Sequence, residues 1–270
     1  MKLETGPTTD NERASPLVTI ITAVFNNASS VEDSLQSVLS QSYPNIEYIV
    51  VDGGSTDGTV DVVRGYQDEI DRFVSEPDEG IYDALNKGIR MSEGDVIGIL
   101  HSDDLFCDEN VVQDVMDRIA SSEADICFSD LVIVDKSSKK IVRYYMAHYF
   151  RRWLFRCGWM PPHPTCFIKR ELYERFGLYT TRFSVAGDFD FLVRVFFGAD
   201  IKWAYLDRVT VKMHVGGISN SGFASKRTIA NEISASLRDN KVWSLSFFQV
   251  IRYLIRLFEF VVKPRNMRCG

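Results

Sequence analysis

The chain has 270 residues, a net charge of −6 and a hydrophobic fraction of 45%. That length holds one large α/β domain or two small ones. The acidic balance argues against a general nucleic-acid binder, which needs a basic excess. Five cysteines (Cys107, Cys127, Cys157, Cys166, Cys269) form no C-x-x-C pair and are odd in number. Neither a zinc pattern nor a disulfide framework follows, so a reducing cytoplasm is expected. Met1 to Ser15 is polar, lacks the apolar core of a signal peptide and reads as a disordered lead-in. No run of eighteen uncharged apolar residues exists, so no membrane-spanning helix is expected.

Leu17 to Phe25 reads as a first strand ended by Asn26-Asn27, and Ser29 or Ser30 can cap a helix carrying Val31, Leu35, Val38 and Leu39 on one face. Ile46 to Val51 is a second apolar strand, closed by Asp52-Gly53-Gly54-Ser55-Thr56-Asp57, with a helix beginning at Val60. Phe73-Val74 starts a short strand that ends at Ser75 to Gly80, and the next helix holds Ile81, Ala84, Leu85 and Ile89. A strand from Asp95 to Leu100, a helix with Val111, Val115 and Ile119, and a strand from Asp125 to Val134 complete five strand–helix alternations. Such alternation predicts a parallel-dominated sheet with helices on both faces. Beyond Lys136 the pattern changes: His148 to Met160 is rich in aromatic and basic residues, and Pro161-Pro162-His163-Pro164 makes a stiff bend. Helices are expected around Arg170–Phe176 and after Ala186, a strand over Ile201–Met213, a loop at Gly216-Gly217, and two helical segments to the end.

The chemistry centres on Ile97 to Leu105, where an apolar strand runs into His101-Ser102-Asp103-Asp104. Burying adjacent carboxylates costs several kcal/mol unless a cation or hydrogen-bond donors meet them. At the end of a parallel strand, where open α/β sheets bind ligands, such a pair fits Mg²⁺ or Mn²⁺ completed by a diphosphate and water. Capping of the following helix is the alternative reading.

Five segments appear in one order: Thr22-Ala23-Val24-Phe25-Asn26, Asp52 to Asp57, Asp78-Glu79-Gly80-Ile81-Tyr82-Asp83-Ala84-Leu85-Asn86-Lys87-Gly88, Ser102-Asp103-Asp104, and Gly187-Asp188-Phe189-Asp190. Together they resemble the family-2 glycosyltransferases of the GT-A fold, over roughly Pro16 to Ser219, and most of all members that build bacterial surface polysaccharides. The resemblance implies an α/β GT-A domain over 16–222, with a nucleotide-binding half (16–135) and an acceptor half (136–222), followed by C-terminal amphipathic helices over 223–270. It implies an inverting, metal-dependent hexosyl- or N-acetylhexosaminyltransferase using Mn²⁺ or Mg²⁺ and a nucleotide-sugar, with a UDP-sugar as the first expectation. Thr22, Val24, Asn26, Asp52, Glu76, Asp78, Lys87 and Asp103 would hold the donor, with Asp52 accepting the uracil N3–H. Asp104 and His214 would serve the metal, Asp188 would be the catalytic base, and His163 and Asp190 would meet the acceptor. Many relatives carry an acidic residue where this chain has Gly187, and that departure bears on how Asp188 is tuned.

A sugar nucleotidyltransferase would place a Gly-rich basic loop after the first strand, whereas this chain reads Phe25-Asn26-Asn27-Ala28-Ser29-Ser30. Neither G-x-G-x-x-G nor G-x-x-x-x-G-K-[ST] occurs. A binding module without transfer activity is the other alternative. Near the C-terminus, Gln249, Arg252, Arg256, Glu259 and Lys263 fall at helical spacing in one narrow stripe amid apolar residues. The expected outcome is a helix lying in a membrane interface with this stripe toward water, or buried in an oligomer or the catalytic domain. Arg143, Arg151, Arg152 and Arg156, interleaved with aromatic residues, offer a second contact surface. A glycan or polyprenyl-diphosphate-linked acceptor at the inner face of the plasma membrane would suit such a surface.

Overall fold

The first strand, Val18–Val24 (β1), is buried along its whole length, as a β-rich run in a sheet covered on both faces must be. It pairs in parallel with Ile46–Asp52 (β2) on one side and Val96–Ile99 (β4) on the other, and Arg72–Ser75 (β3) extends the sheet beyond β2. The computed structural model describes residues 15–135, 140–215, 222–245 and 248–262. The expected lead-in before Ser15 and the loop at Gly216 to Ser219 lie outside the described residues.

Strand periodicity sorts β1 and β2 between two cores. Ile21, Ala23, Ile49 and Val51 pack on one face with Tyr82, Ala84, Leu85 and Ile89 of the helix Ile81–Met91 (α3). Val18, Ile20, Val24 and Val50 pack on the other with Val31, Leu35 and Val38 of the helix Val31–Leu39 (α1). Thr59–Arg64 (α2) follows the loop after β2, and Val111–Ser122 (α4) puts Val111, Val112, Val115 and Met116 into the α1 face.

The four strands of the first half run parallel; the antiparallel pairs gather in the second half. Phe167–Lys169 (β8) sits antiparallel between β4 and Ile126–Val134 (β6), which also pairs antiparallel with Ile141–Tyr145 (β7) and parallel with the long strand Trp203–His214 (β9). Asp104–Phe106 (β5) pairs antiparallel with β9, so Asp104 lies opposite Met213. The order is β3-β2-β1-β4-β8-β6-β9-β5. β5 is an addition to the sequence expectation; three residues are too few to carry a periodic signal.

Arg170–Phe176 (α5), Gly187–Gly198 (α6), Gly222–Asp239 (α7) and Phe248–Glu259 (α8) form the helical remainder. One expectation is corrected here. Asp190, expected at the acceptor, is buried and locks α6 to α7: it pairs with Arg194 at 3.0 Å and accepts from Ser236 Oγ at 2.8 Å and Asn240 Nδ2 at 3.0 Å. In the C-terminal polar stripe, Arg252 and Glu259 turn into the protein rather than to water, which agrees with the second of the two sequence readings; Lys263 lies outside the described residues. Arg252 and Glu259 are buried, and Glu259 accepts from Arg143 Nε at 2.6 Å and from the Tyr149 hydroxyl at 3.4 Å. A charge with such partners is more stable inside than an unpaired one, so the interior claims Glu259. Among the described residues no helix is long and apolar enough to cross a membrane.

Replacing Asp190 by Ala should strand Arg194, Ser236 and Asn240 and cost about 2–4 kcal/mol. Thermal unfolding should show a Tm lower by about 5–10 °C. An unchanged Tm would remove the locking role and return Asp190 to the acceptor site.

Candidate active site

Because β1, β2, β3 and β4 are parallel, their C-terminal ends share one edge. The chain leaves β1 toward β2 and β3 on one side, then returns to β4 on the other. Open α/β sheets bind ligands at such a switch point, and the motif-bearing loops all emerge there.

On the β2 side, Asp52 closes the strand without touching the cleft. It is fully buried, and its carboxylate accepts from Gly54 N (3.1 Å), Ser55 N (3.0 Å) and Ser75 Oγ (2.7 Å). The structure places Asp52, expected to read a base, behind the loop, with most of its acceptor capacity spent on shaping that loop. Thr22 and Val24 are likewise buried in the sheet, with Thr22 Oγ1 3.1 Å from the Tyr48 hydroxyl, and present no side chain to a ligand. Asn26, in the left-handed region at φ +47°, stitches the first loop to the second: its N–H donates to Ser55 Oγ at 2.8 Å and its Oδ1 accepts from Thr56 N at 2.9 Å. Asn tolerates that conformation better than other residues with a Cβ.

The carboxylate that does reach over this loop belongs to Asp78. A Cβ at Gly53 would stand 2.3 Å from Asp78 Oδ2, so only glycine admits the side chain. Asp78 Oδ1 accepts from Gly80 N at 2.8 Å. Beside it, Lys87 Nζ meets Glu76 at 2.9 Å, Asp83 at 3.4 Å and the Pro77 carbonyl at 3.1 Å. The hydrogen bond from Lys87 to Glu76 is the main cause raising the ammonium pKa. Glu76, Asp78 and Lys87, all expected to hold the donor, thus lie together beyond β3. Phe25, 62% exposed at the tip of β1, adds an aromatic face that the motif reading overlooked.

At the end of β4, Asn27 Nδ2 donates to the Ser102 carbonyl at 2.9 Å and holds the turn. Asp103 remains half-exposed, whereas Asp104 is fully buried and neither of its carboxylate oxygens has a hydrogen-bond partner among the described residues. Burial, reinforced by Asp103, pushes the Asp104 pKa well above the usual carboxylate range. Asp103 is thus the carboxylate with accessible surface, and Asp104 the one whose oxygens no described donor meets. From β9, His214 Nδ1 lies 3.0 Å from the Asp103 carbonyl. A carbonyl oxygen only accepts, so Nδ1 is the donor in this contact, the anchoring that orients Nε2 in metal-bound histidines.

Among the described residues no group of three or more His, Cys, Asp and Glu is assembled as a metal cage. A Mg²⁺ or Mn²⁺ site completed by a diphosphate needs only one or two protein ligands. An accessible carboxylate, an imidazole anchored through Nδ1 and a buried carboxylate that no described donor meets fit that requirement.

Asp188 lies in the first turn of α6. Its Oδ1 accepts from Phe189 N at 2.8 Å and is 3.1 Å from the Tyr82 hydroxyl, which also donates to the Val185 carbonyl at 2.7 Å. Burial raises the Asp188 pKa, and these donors partly offset it. Gly187 explains the contact: a Cβ there would come within 2.8 Å of the Tyr82 ring. Tyr82 was visible only as a motif letter, because the partner that gives it meaning lies 106 residues away.

His101 was also overlooked. Burial is the main cause lowering its pKa to about 4, with His163 adding to the effect and Asp103 and Asp188 opposing it. Its neutral ring therefore stands within electrostatic reach of both carboxylates. His163, expected to meet an acceptor, is buried instead, with its ring 6.3 Å from that of His101 and Nε2 2.8 Å from the Tyr179 hydroxyl. It supports His101 from below. Asn86 in turn clamps Tyr179, donating to its carbonyl at 2.8 Å and accepting from its N–H at 2.9 Å.

The sequence profile described as Glycosyl transferase family 2 matches residues 19–179. An uncharacterised glycosyltransferase of Mycobacterium tuberculosis is 32% identical over 187 residues, 67% of this chain and 69% of that protein. A PGL/p-HBAD biosynthesis glycosyltransferase of Mycobacterium bovis is 28% identical over 213 residues, 77% of this chain and 81% of the relative. Among solved structures, S. aureus TarS 1-349 superposes with a TM-score of 0.64 at 18% identity, covering 82% of this chain and 65% of TarS 1-349. The mannosyltransferase PcManGT from Pyrobaculum calidifontis, in complex with GDP-Man and Mn²⁺, gives a TM-score of 0.62 at 20% identity over 89% of this chain and 69% of its own. At such identities the structural likeness is one of fold.

Carboxyl-carbon NMR should find Asp188 titrating above the usual aspartate range. In Tyr82→Phe the midpoint should move higher still, since a donor to the ionised form has been removed. A midpoint that stays put or falls would mean that the Tyr82 hydroxyl serves only Val185.

Proposed function

The chain belongs to glycosyl transferase family 2, and on that premise we propose an inverting, metal-dependent transfer of a hexosyl or N-acetylhexosaminyl group. The donor is a nucleotide-diphosphate sugar, a UDP-sugar in the first instance. The acceptor is a hydroxyl of a glycan or of a lipid-linked sugar at a membrane surface. TarS has been solved in complex with UDP and with UDP-GlcNAc, and the parallel nucleotide half of this chain offers the same kind of edge. The observation that carries the proposal is the buried, neutral His101 within electrostatic reach of both Asp103 and Asp188, with His214 anchored at 3.0 Å on the Asp103 carbonyl.

In this reading the base stacks on Phe25 and its imide N–H donates to Asp78, the carboxylate that Gly53 admits. Asn26 and the Asp52 loop shape that pocket from behind, while Lys87 and Glu76 close its rim. Asp103, Asp104 and His214 are the residues that would hold a Mn²⁺ or Mg²⁺ ion, which would supply neutralisation of the charge developing on the departing phosphate. Asp188 accepts the proton of the acceptor hydroxyl as that oxygen attacks the anomeric carbon. The bond from that carbon to the diphosphate oxygen breaks and its electron pair leaves with the nucleotide. One displacement inverts the centre. His101, neutral at working pH, places no positive charge beside the base, so Asp188 remains basic enough to take the proton.

Asp188→Asn preserves size but cannot take the proton, so kcat should fall about 10²-fold or more while UDP affinity barely changes. Screening UDP-, GDP- and dTDP-sugars for turnover and for hydrolysis identifies the donor. A protein that binds UDP but neither transfers nor hydrolyses any sugar is a binding module, and the proposal is then overturned. For the metal, calorimetric titration of UDP with and without Mn²⁺ should show a metal-dependent gain that Asp103→Asn and His214→Ala each remove. An undiminished gain in both would place the ion elsewhere.

A further inference from the structure

α8 is arranged inside out. Its charged residues Arg252 and Glu259 are buried, while Leu254, Leu257, Phe258 and Val261 are 60–79% exposed. Those four recur at spacings of three, one and three, which is a single stripe on a helix. Trp153 and Trp243 are also more than half exposed. The 3₁₀ turn that holds Trp153, Arg152–Cys157, meets the segment of Trp243 through a hydrogen bond from Ser244 Oγ to the Arg156 carbonyl. Leu254 and Phe258 also form the rim of a cavity of about 790 Å³, so the apolar surface continues inward past Met146, Tyr149 and Ile255. A contiguous exposed apolar surface of this kind marks an interaction site.

Charge decides what covers it. Apart from Arg252, which is buried, and Arg256, which is half-buried, the sequence from Lys241 to Gly270 has four basic residues, Lys241, Lys263, Arg265 and Arg268, and one acid in all, in a chain of net charge −6. The single acid, Glu259, is buried against Arg143. A two-fold dimer through α8 would bring this basic region against itself, because an isologous interface repeats the same patch on both sides. An anionic bilayer meets both needs, taking the apolar stripe into its acyl boundary and attracting the basic flanks.

We propose that the exposed face of α8, with Trp153 and Trp243, docks on an anionic lipid bilayer and holds the catalytic cleft at that surface. The proposal rests on the lipid-linked acceptor reading above for its purpose, but not for its physical grounds. The full chain should co-sediment at low salt with vesicles of phosphatidylglycerol and phosphatidylcholine, far more weakly with phosphatidylcholine alone, and less as salt rises. Replacing Leu254, Leu257 and Phe258 together by Ser should lower partitioning by about 100-fold. Val261→Asp alone should lower it in the same direction, which keeps the test open if the triple variant folds poorly. UDP affinity of each variant reports whether the fold survives. Failure of the wild type to bind anionic vesicles would overturn the proposal, as would undiminished binding by both variants. So would a dimer in light scattering that the same substitutions dissociate, which would assign the face to a second copy. Loss of UDP binding in the wild type would instead overturn the donor reading and leave the vesicle result standing.

Discussion

A carboxylate taken out of water must be met by donors or a cation, or else be neutralised. This constraint orders the molecule. Asp52 is met by the turn it closes, Asp190 by α6 and α7, and Glu259 by Arg143 and Tyr149. Asp130, buried in β6, is met by Ala147 N at 2.7 Å and by the hydroxyls of Tyr144 and Tyr205. Each of these satisfied acids joins parts distant in sequence. Asp104 differs, because among the described residues no hydrogen-bond donor meets its carboxylate, and its pKa rises accordingly. The proposed metal would answer the one buried acid that the described residues leave unmet.

Two glycines act by permission rather than by flexibility. Gly53 gives Asp78 the space over the β2 loop, and Gly187 gives the Tyr82 ring its place at the start of α6. In each case a carboxylate is positioned by an absent Cβ. The Tyr82 contact also couples α3 to α6, elements far apart in the chain. One helix thus meets two places: α3 carries Tyr82 at its start, against Asp188, and Lys87 further along, against Glu76.

The parallel half was legible from the sequence because continuous apolar runs, turn residues and helical periodicity all agree there. Asp188 and Asp103 were legible as motif residues at the start of a helix and the end of a strand. Motif letters give a residue type, however, and not whether its hydrogen-bonding capacity is already used. Asp52, Thr22, Val24, His163 and Asp190 illustrate this: the structure buries each of them in local or long-range packing. Conversely, Tyr82, His101 and Phe25 gain their roles from partners or exposure that no short window contains.

The C-terminal helix shows the same limit in another form. Periodicity fixes which residues share a face, but not which face turns inward. An ordinary amphipathic rule would send Leu254, Leu257 and Phe258 to the interior and the charged stripe to water. Here the interior already holds Arg143, so a helix bearing Glu259 is drawn in by its acid. Once Glu259 is fixed, Arg252 lies buried beside it and the apolar residues have only the outside left. The exposed stripe is thus a consequence of a buried ion pair rather than of poor packing. What covers that stripe must tolerate greasy side chains and basic neighbours at once, and a bilayer surface with anionic headgroups does both.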